Sequence, residues 1–117
     1  MSAPNIVNVA TILGKTAVQL CGTSAAAIIT NASGSGKVLK VNALLAGNID
    51  ATTAYDLTVD LFRSSVAYRF IATVSIPAKS TLDVLGKSIY LEEGDSLRLT
   101  ASAASKIEAV ASYEDIS

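Results

Sequence analysis

Apolar and polar residues alternate with a period of two along most of this chain. From Val66 to Ile76 the even positions are Val66, Tyr68, Phe70, Ala72, Val74 and Ile76, with Arg69, Thr73 and Ser75 among the odd ones. That pattern predicts a strand with one buried face, and it places Phe70 in the core. Leu57, Val59 and Leu61 alternate with Asp56, Thr58 and Asp60, and Arg63-Ser64-Ser65 is the right length for a hairpin turn between the two strands. Upstream, Leu39, Val41, Ala43 and Leu45 alternate with Lys40, Asn42 and Leu44, between glycine-rich punctuation at Gly34-Ser35-Gly36 and Gly47-Asn48. Thr16 to Cys21 and Ala25 to Thr30 read as shorter strands around a Gly22-Thr23-Ser24 turn.

Leu82 and Val84 follow Pro77, which lacks an N–H and marks a strand end. Leu97, Leu99, Ala101 and Ala103 form another alternating run, with Leu99 at its centre; after a turn at Ala104-Ser105 come Ile107, Ala109 and Ala111. A helix over the alanines of "TSAAAIITNAS" is the local competitor, but the run is short and Ile28, Ile29 and Thr30 are β-branched. About nine strands at turn spacings of roughly 8 to 12 residues predict an all-β chain. The expected architecture is an antiparallel β-sandwich, jelly-roll-like or immunoglobulin-like. Residues 14–117 form that domain, and residues 1–13 are an N-terminal arm or its first strand.

Composition narrows the chemistry. The chain has 117 residues, enough for one domain, and no apolar run approaches the roughly 18 residues of a membrane span. Nine Lys and Arg against ten Asp and Glu leave a net charge of -1, with no basic block to neutralise phosphates, so neither nucleic acid nor membrane is an expected partner. There is no histidine, which removes the commonest general base and transition-metal ligand. Cys21 is the one cysteine, so no intrachain disulfide or Cys-rich zinc site can form. The opening residues lack a basic region followed by a long apolar one, and no secretory leader is expected from them.

The candidate sites are few. "SIYLEEGDSLRLTAS" sets Glu92, Glu93 and Asp95 around Gly94. Neighbours on an extended chain project to opposite sides and lack the alternating acidic positions of a calcium loop, so the reading is a hairpin corner: Gly94 takes a positive φ and Asp95 bonds back to the turn. Asp56 and Asp60 share a strand face and read as a solvated or subunit-facing row rather than a catalytic pair. "NASGSGKVL" and Gly14-Lys15-Thr16 imitate a phosphate-binding loop, but Asn31 and Val9 stand where its first glycine belongs. Asn31-Ala32-Ser33 fits a glycosylation acceptor and is read as loop. No catalytic, cofactor-binding or metal-binding residue emerges, and an enzyme is not expected.

The stretches "KTAVQLCGTSAAAIITNASGSGKVLKVNALLAGNID", "AYDLTVDLFR" and "IPAKSTLDVLGKSIYLEEGDSLRLTASAASKIEAVASYEDIS" resemble small virion structural proteins of tailed phages, particularly cyanophages. The resemblance runs from about Asn5 to the C-terminus, and "SIYLEEGDSLRLTAS" and "SYEDIS" are its most specific pieces. It implies a structural component of the particle, made in the host cytoplasm, with no catalytic residue to carry over. The expected role is a capsid decoration or accessory protein, a homo-oligomer with a trimer favoured, docked on virion proteins such as the major capsid protein. The alternative is a tail, neck or fibre module that recognises host-surface glycan, although there is no Trp and Tyr68 and Tyr90 read as strand residues. The assembly contact is expected in the apolar N-terminal segment, at Ile6, Val7, Val9, Ile12 and Leu13, through strand addition to a neighbour's sheet edge.

Overall fold

The computed structural model describes residues 11–117. These form nine strands: β1 (Ile12–Leu20), β2 (Ala26–Thr30), β3 (Val38–Asn48), β4 (Tyr55–Arg63), β5 (Val66–Ile76), β6 (Thr81–Asp83), β7 (Ile89–Leu91), β8 (Ser96–Ala101) and β9 (Ile107–Ile116). One sheet runs β1-β9-β3-β6, with β7 also paired to β3, and the other runs β2-β8-β4-β5; every pairing is antiparallel. The short β6 and β7 lie end to end along β3, opposite Leu45 to Gly47 and Leu39 to Val41 respectively. Taken as one interrupted strand, they complete two four-stranded sheets between which the chain crosses repeatedly, which is the jelly-roll arrangement of the sandwich. The alternation therefore predicts the fold class, but the Gly22-Thr23-Ser24 turn does not join a hairpin. β1 and β2 belong to different sheets, and the turn carries the chain between them.

The core lies between the sheets. Leu39, Val41, Leu44, Ala46, Ile107, Ala109 and Ala111 from one sheet meet Ile29, Leu57, Val59, Leu97 and Leu99 from the other, all fully or nearly fully buried. In β8 and β9 the alternation reads straight through, and Leu99 is central as expected.

In β3 and β5 it does not. Asn42 has no counterpart between Val41↔Tyr113 and Ala43↔Ser112, so a bulge there reverses the side-chain parity. Leu39 and Val41 point inward before it and Leu44 and Ala46 after it, while Leu45 faces out. β5 carries two such irregularities: Phe70 is the extra residue between Arg69↔Asp60 and Ile71↔Val59, and Thr58 faces both Ala72 and Thr73. Ile71 and Val74 pack on the core in place of Phe70, which is 43% exposed, and Tyr68 is exposed as well. The expectation that Phe70 is a core residue is thus corrected by the bulge beside it.

The β4–β5 hairpin closes on Arg63↔Val66, leaving Ser64 and Ser65 as a two-residue loop with φ of 52° and 62°. Both values lie in the left-handed region favoured by Asn and Gly. Replacing Ser64-Ser65 by Asn-Gly is expected to raise stability by about 1 kcal/mol, read as a higher urea midpoint at unchanged slope.

Candidate functional site: an exposed sheet face

Strand register builds an apolar surface on the outer side of the five-stranded sheet. Val18 on β1 stands opposite Val110 on β9, which stands opposite Leu45 on β3. One step along, Leu20, Glu108 and Gly47 form the next row, and Thr81 of β6 lies beyond it. Val18 is 74% exposed, and Leu20, Leu45, Ile49 and Val110 are each exposed by two fifths or more. Two shallow cavities of about 520 and 350 Å³ occupy this face, the larger rimmed by Lys79, Thr81 and Glu108 and the smaller lined by Val18, Leu20 and Val110. The bulge at Asn42 is what turns Leu45 outward to complete the row. Sequence alternation alone places Leu45 inside and hides the patch.

The segment expected to make the assembly contact is only partly visible. Ile6, Val7 and Val9 lie outside the described residues. Ile12 and Leu13 open β1 and pair with Ile116 and Asp115 of the same chain, with both side chains half exposed. Among the described residues, Ile12 and Leu13 therefore belong to a sandwich strand together with Gly14.

The acidic corner is structural, as its sequence predicts. Gly94 has φ of 90°, and the Asp95 N–H donates to the Glu92 carbonyl at 3.0 Å. Asp95 is buried and accepts hydrogen bonds from Arg63 Nε at 2.8 Å, from the Arg63 terminal nitrogen, and from the Glu92 N–H at 2.8 Å. Glu92 reaches Arg63 at 3.0 Å, whereas Glu93 turns away to accept the Gly36 N–H at 3.0 Å. Glu92 and Asp95 thus share Arg63 while Glu93 serves the Gly36 N–H, so the three carboxylates do not converge on one point. The Arg63 hydrogen bonds hold the Asp95 carboxyl below its ordinary pKa against the opposing effect of burial. Glu92→Gln with Glu93→Gln is expected to leave the melting temperature nearly unchanged, because both amides keep an acceptor oxygen. Gly94→Val should lower it clearly, since a β-branched residue resists φ of 90°.

The other singled-out residues also have structural work. Asp60 is not solvated: Arg98 lies across it, with Nε 2.9 Å from the carboxylate, and stacks 3.9 Å from the centre of the Phe62 ring. Asp56 is exposed on the same strand. The two lysines of the phosphate-loop look-alikes meet at one carboxylate, Lys15 at 2.9 Å and Lys37 at 3.1 Å from Asp115. Burial pushes the Asp115 carboxyl up, but the two lysines outweigh it and leave it below its ordinary value. Asn31, read as loop or glycosylation acceptor, is buried; its amide donates to the Lys37 and Leu91 carbonyls at 2.9 Å, and its oxygen accepts from Ser35. Asn48 does the same at the other end of β3, donating to Thr53 and Ile76 carbonyls at 2.9 Å. Among the described residues, no cluster of His, Cys, Asp or Glu has metal-binding geometry, and no helix is long and apolar enough to cross a membrane.

No protein-family model matches the chain, and no curated protein matches it. Its fold is similar to a chain of the solved structure described as "Bacillus endospore appendages form a novel family of disulfide-linked pili". The TM-score is 0.54 at 13% identity, with 100% of this chain and 96% of that chain covered. At that identity the likeness is one of fold.

Proposed function

We propose that the protein is a structural subunit of a multi-subunit particle, and specifically the tailed-phage virion component that its sequence resembles. In this reading it is made in the host cytoplasm and decorates the capsid as a homo-oligomer seated on the major capsid protein. The observation that carries the assembly reading is the outer face of Val18, Leu20, Leu45 and Val110. A contiguous apolar patch with a polar rim is the signature of a surface that spends its working life covered. The jelly-roll architecture supports it, being common to viral capsid and lectin domains, although a fold alone assigns no function.

The structural neighbour is described as disulfide-linked, and that linkage does not transfer here. Cys21 is 1% exposed, and burial pushes its thiol up to about 11, so it is neither accessible nor ionised at neutral pH. Thiol titration is expected to find no reactive group in the native protein and one per chain after unfolding, and reductant should leave the assembled state unchanged.

Quantitative mass spectrometry of purified particles tests the virion reading. Hundreds of copies support a capsid decoration, a handful supports a tail or neck position, and absence from the particles overturns the proposal. Val110→Glu should fold normally yet fail to incorporate. A second reading, a tail, neck or fibre module for host glycan, is favoured by one observation: Tyr68 and Phe70 stand exposed on β5, where aromatic faces could stack on sugar rings. Under that reading Tyr68→Ala with Phe70→Ala gives particles of normal composition that adsorb poorly to cells.

A further inference from the structure

Among the described residues the sandwich has four sheet edges, and three of them are blunted in the ways by which sheet proteins avoid edge pairing. β5 is broken by two bulges, and β6 and β7 are three residues each. β2 has five residues, and the Gln19 side chain caps its carbonyls at Ala26 and Ala27. β1 has none of these protections: it keeps nine consecutive partners on β9 without a register shift and contains no proline.

The ladder also fixes which backbone groups β1 leaves free. Thr11 and Ser117 exchange both backbone hydrogen bonds, at 3.0 and 2.9 Å, and the Cys21 N–H donates to the Ile107 carbonyl at 2.8 Å. Antiparallel exchange alternates along a strand. Leu13, Lys15, Ala17 and Gln19 therefore bond to β9, while Ile12, Gly14, Thr16, Val18 and Leu20 turn their N–H and C=O away from it. Among the described residues no strand meets that side. The same even-numbered residues supply β1's share of the exposed apolar face.

We propose that β1 pairs antiparallel with β1 of a second copy about a two-fold axis at Thr16, joining two five-stranded sheets into one continuous sheet. This rests on the reading as an assembling subunit and names the partner. With Thr16 facing Thr16, Ile12 meets Leu20 and Gly14 meets Val18 of the second copy, so every free N–H and C=O finds a partner. Shifting the axis to Lys15 sets two lysines directly opposite one another, which is destabilising. Shifting it to Ala17 strands Ile12. At the Thr16 register Lys15 faces Ala17 of the second copy and keeps its bond to Asp115. The apolar faces of the two copies then run together through Gly14 and Val18. The resulting unit is an isologous dimer, in place of the trimer expected from sequence.

Sedimentation velocity of the full chain tests this: the wild type should run at twice 12.0 kDa. Thr16→Pro removes an N–H that no bond among the described residues uses and should give a folded monomer; Val18→Lys, at a highly exposed site, should do likewise and stands as the test if the proline variant does not fold. A spin label on Thr16→Cys should show dipolar broadening in the dimer, with Cys21 too buried to be labelled. A wild-type monomer, a dimer that survives Val18→Lys, or an unbroadened label overturns the proposal. Loss of the dimer in a full-length Val7→Asp, Val9→Asp variant also overturns it, because the N-terminal segment would then be the occupant. A solution monomer that still enters particles sinks the edge pairing alone and leaves the structural-subunit reading standing.

Discussion

Leu99→Ala is expected to cost about 2 to 5 kcal/mol, and Phe70→Ala well under half of that. Leu99 is fully buried on β8, between Ala26 of β2 and Val59 of β4, and its removal leaves a cavity lined by residues of both sheets. Strand partners on both sides limit how far the surroundings can collapse into the gap. Phe70, nearly half exposed at a bulge on an edge strand, loses mostly contact with water. Chemical denaturation of both variants checks the contrast. Equal losses would mean that Phe70 is packed against something, and a covered β5 edge in solution would be the first candidate.

That contrast also locates what period-two reading can and cannot deliver. Side-chain alternation reports burial only while the ladder is regular, because one extra residue exchanges the two faces of everything beyond it. In β8 and β9 no residue is inserted, and Leu97, Leu99, Ile107, Ala109 and Ala111 are buried as their spacing predicts. In β3 the inserted Asn42 sits in a sequence, "LKVNALLAG", whose four consecutive apolar residues, Ala43 to Ala46, fit either parity. Strict alternation consequently assigns Leu45 to the core and Leu44 to the surface, the reverse of their burial. Phe70-Ile71-Ala72 carries the same ambiguity in β5. Runs of adjacent apolar residues inside an otherwise alternating strand are the available signal for a bulge: the run in β3 directly follows its inserted residue, and the run in β5 begins with one.

The exposed face was illegible for the same reason, since it depends on Leu45 turning out and on β1, β9 and β3 being neighbours. Adjacent placement of β1 and β9 is a long-range pairing of the two ends of the domain, for which local pattern holds no information. The acidic corner was legible because its cause is local: Gly94 and Asp95 form their turn with Glu92. Its anchor was not, because Arg63 arrives from 32 residues away. Asn31 and Asn48 were similarly unreadable as buried residues, since their amides are satisfied by carbonyls of Leu91 and Ile76 across the fold.

Arg63→Ala should destabilise the protein by about 2 kcal/mol at neutral pH. The Asp95 side chain is 2% exposed and depends on Arg63 for two of its hydrogen bonds, so truncating the arginine leaves a buried carboxylate with only the Glu92 N–H. Removing one member of a fully buried ion pair costs about 3 to 5 kcal/mol; the half-exposed Arg63 position lets water reach the vacated space, and the expected loss is correspondingly smaller. The pH dependence separates this from simple loss of packing. A carboxyl held below its ordinary pKa contributes stability that is present above the unfolded value, about 3.9, and is lost as pH falls through the lower folded one. The variant lacks that contribution at every pH. Its deficit against the wild type should therefore be widest near neutrality, begin to close as the pH falls below about 4, and vanish only below the lower folded value of the wild type, where Asp95 is protonated in both proteins. A deficit that stays constant from pH 7 to pH 3 in thermal or urea unfolding would show that Arg63 acts through its methylene stem and that the buried charge is satisfied without it.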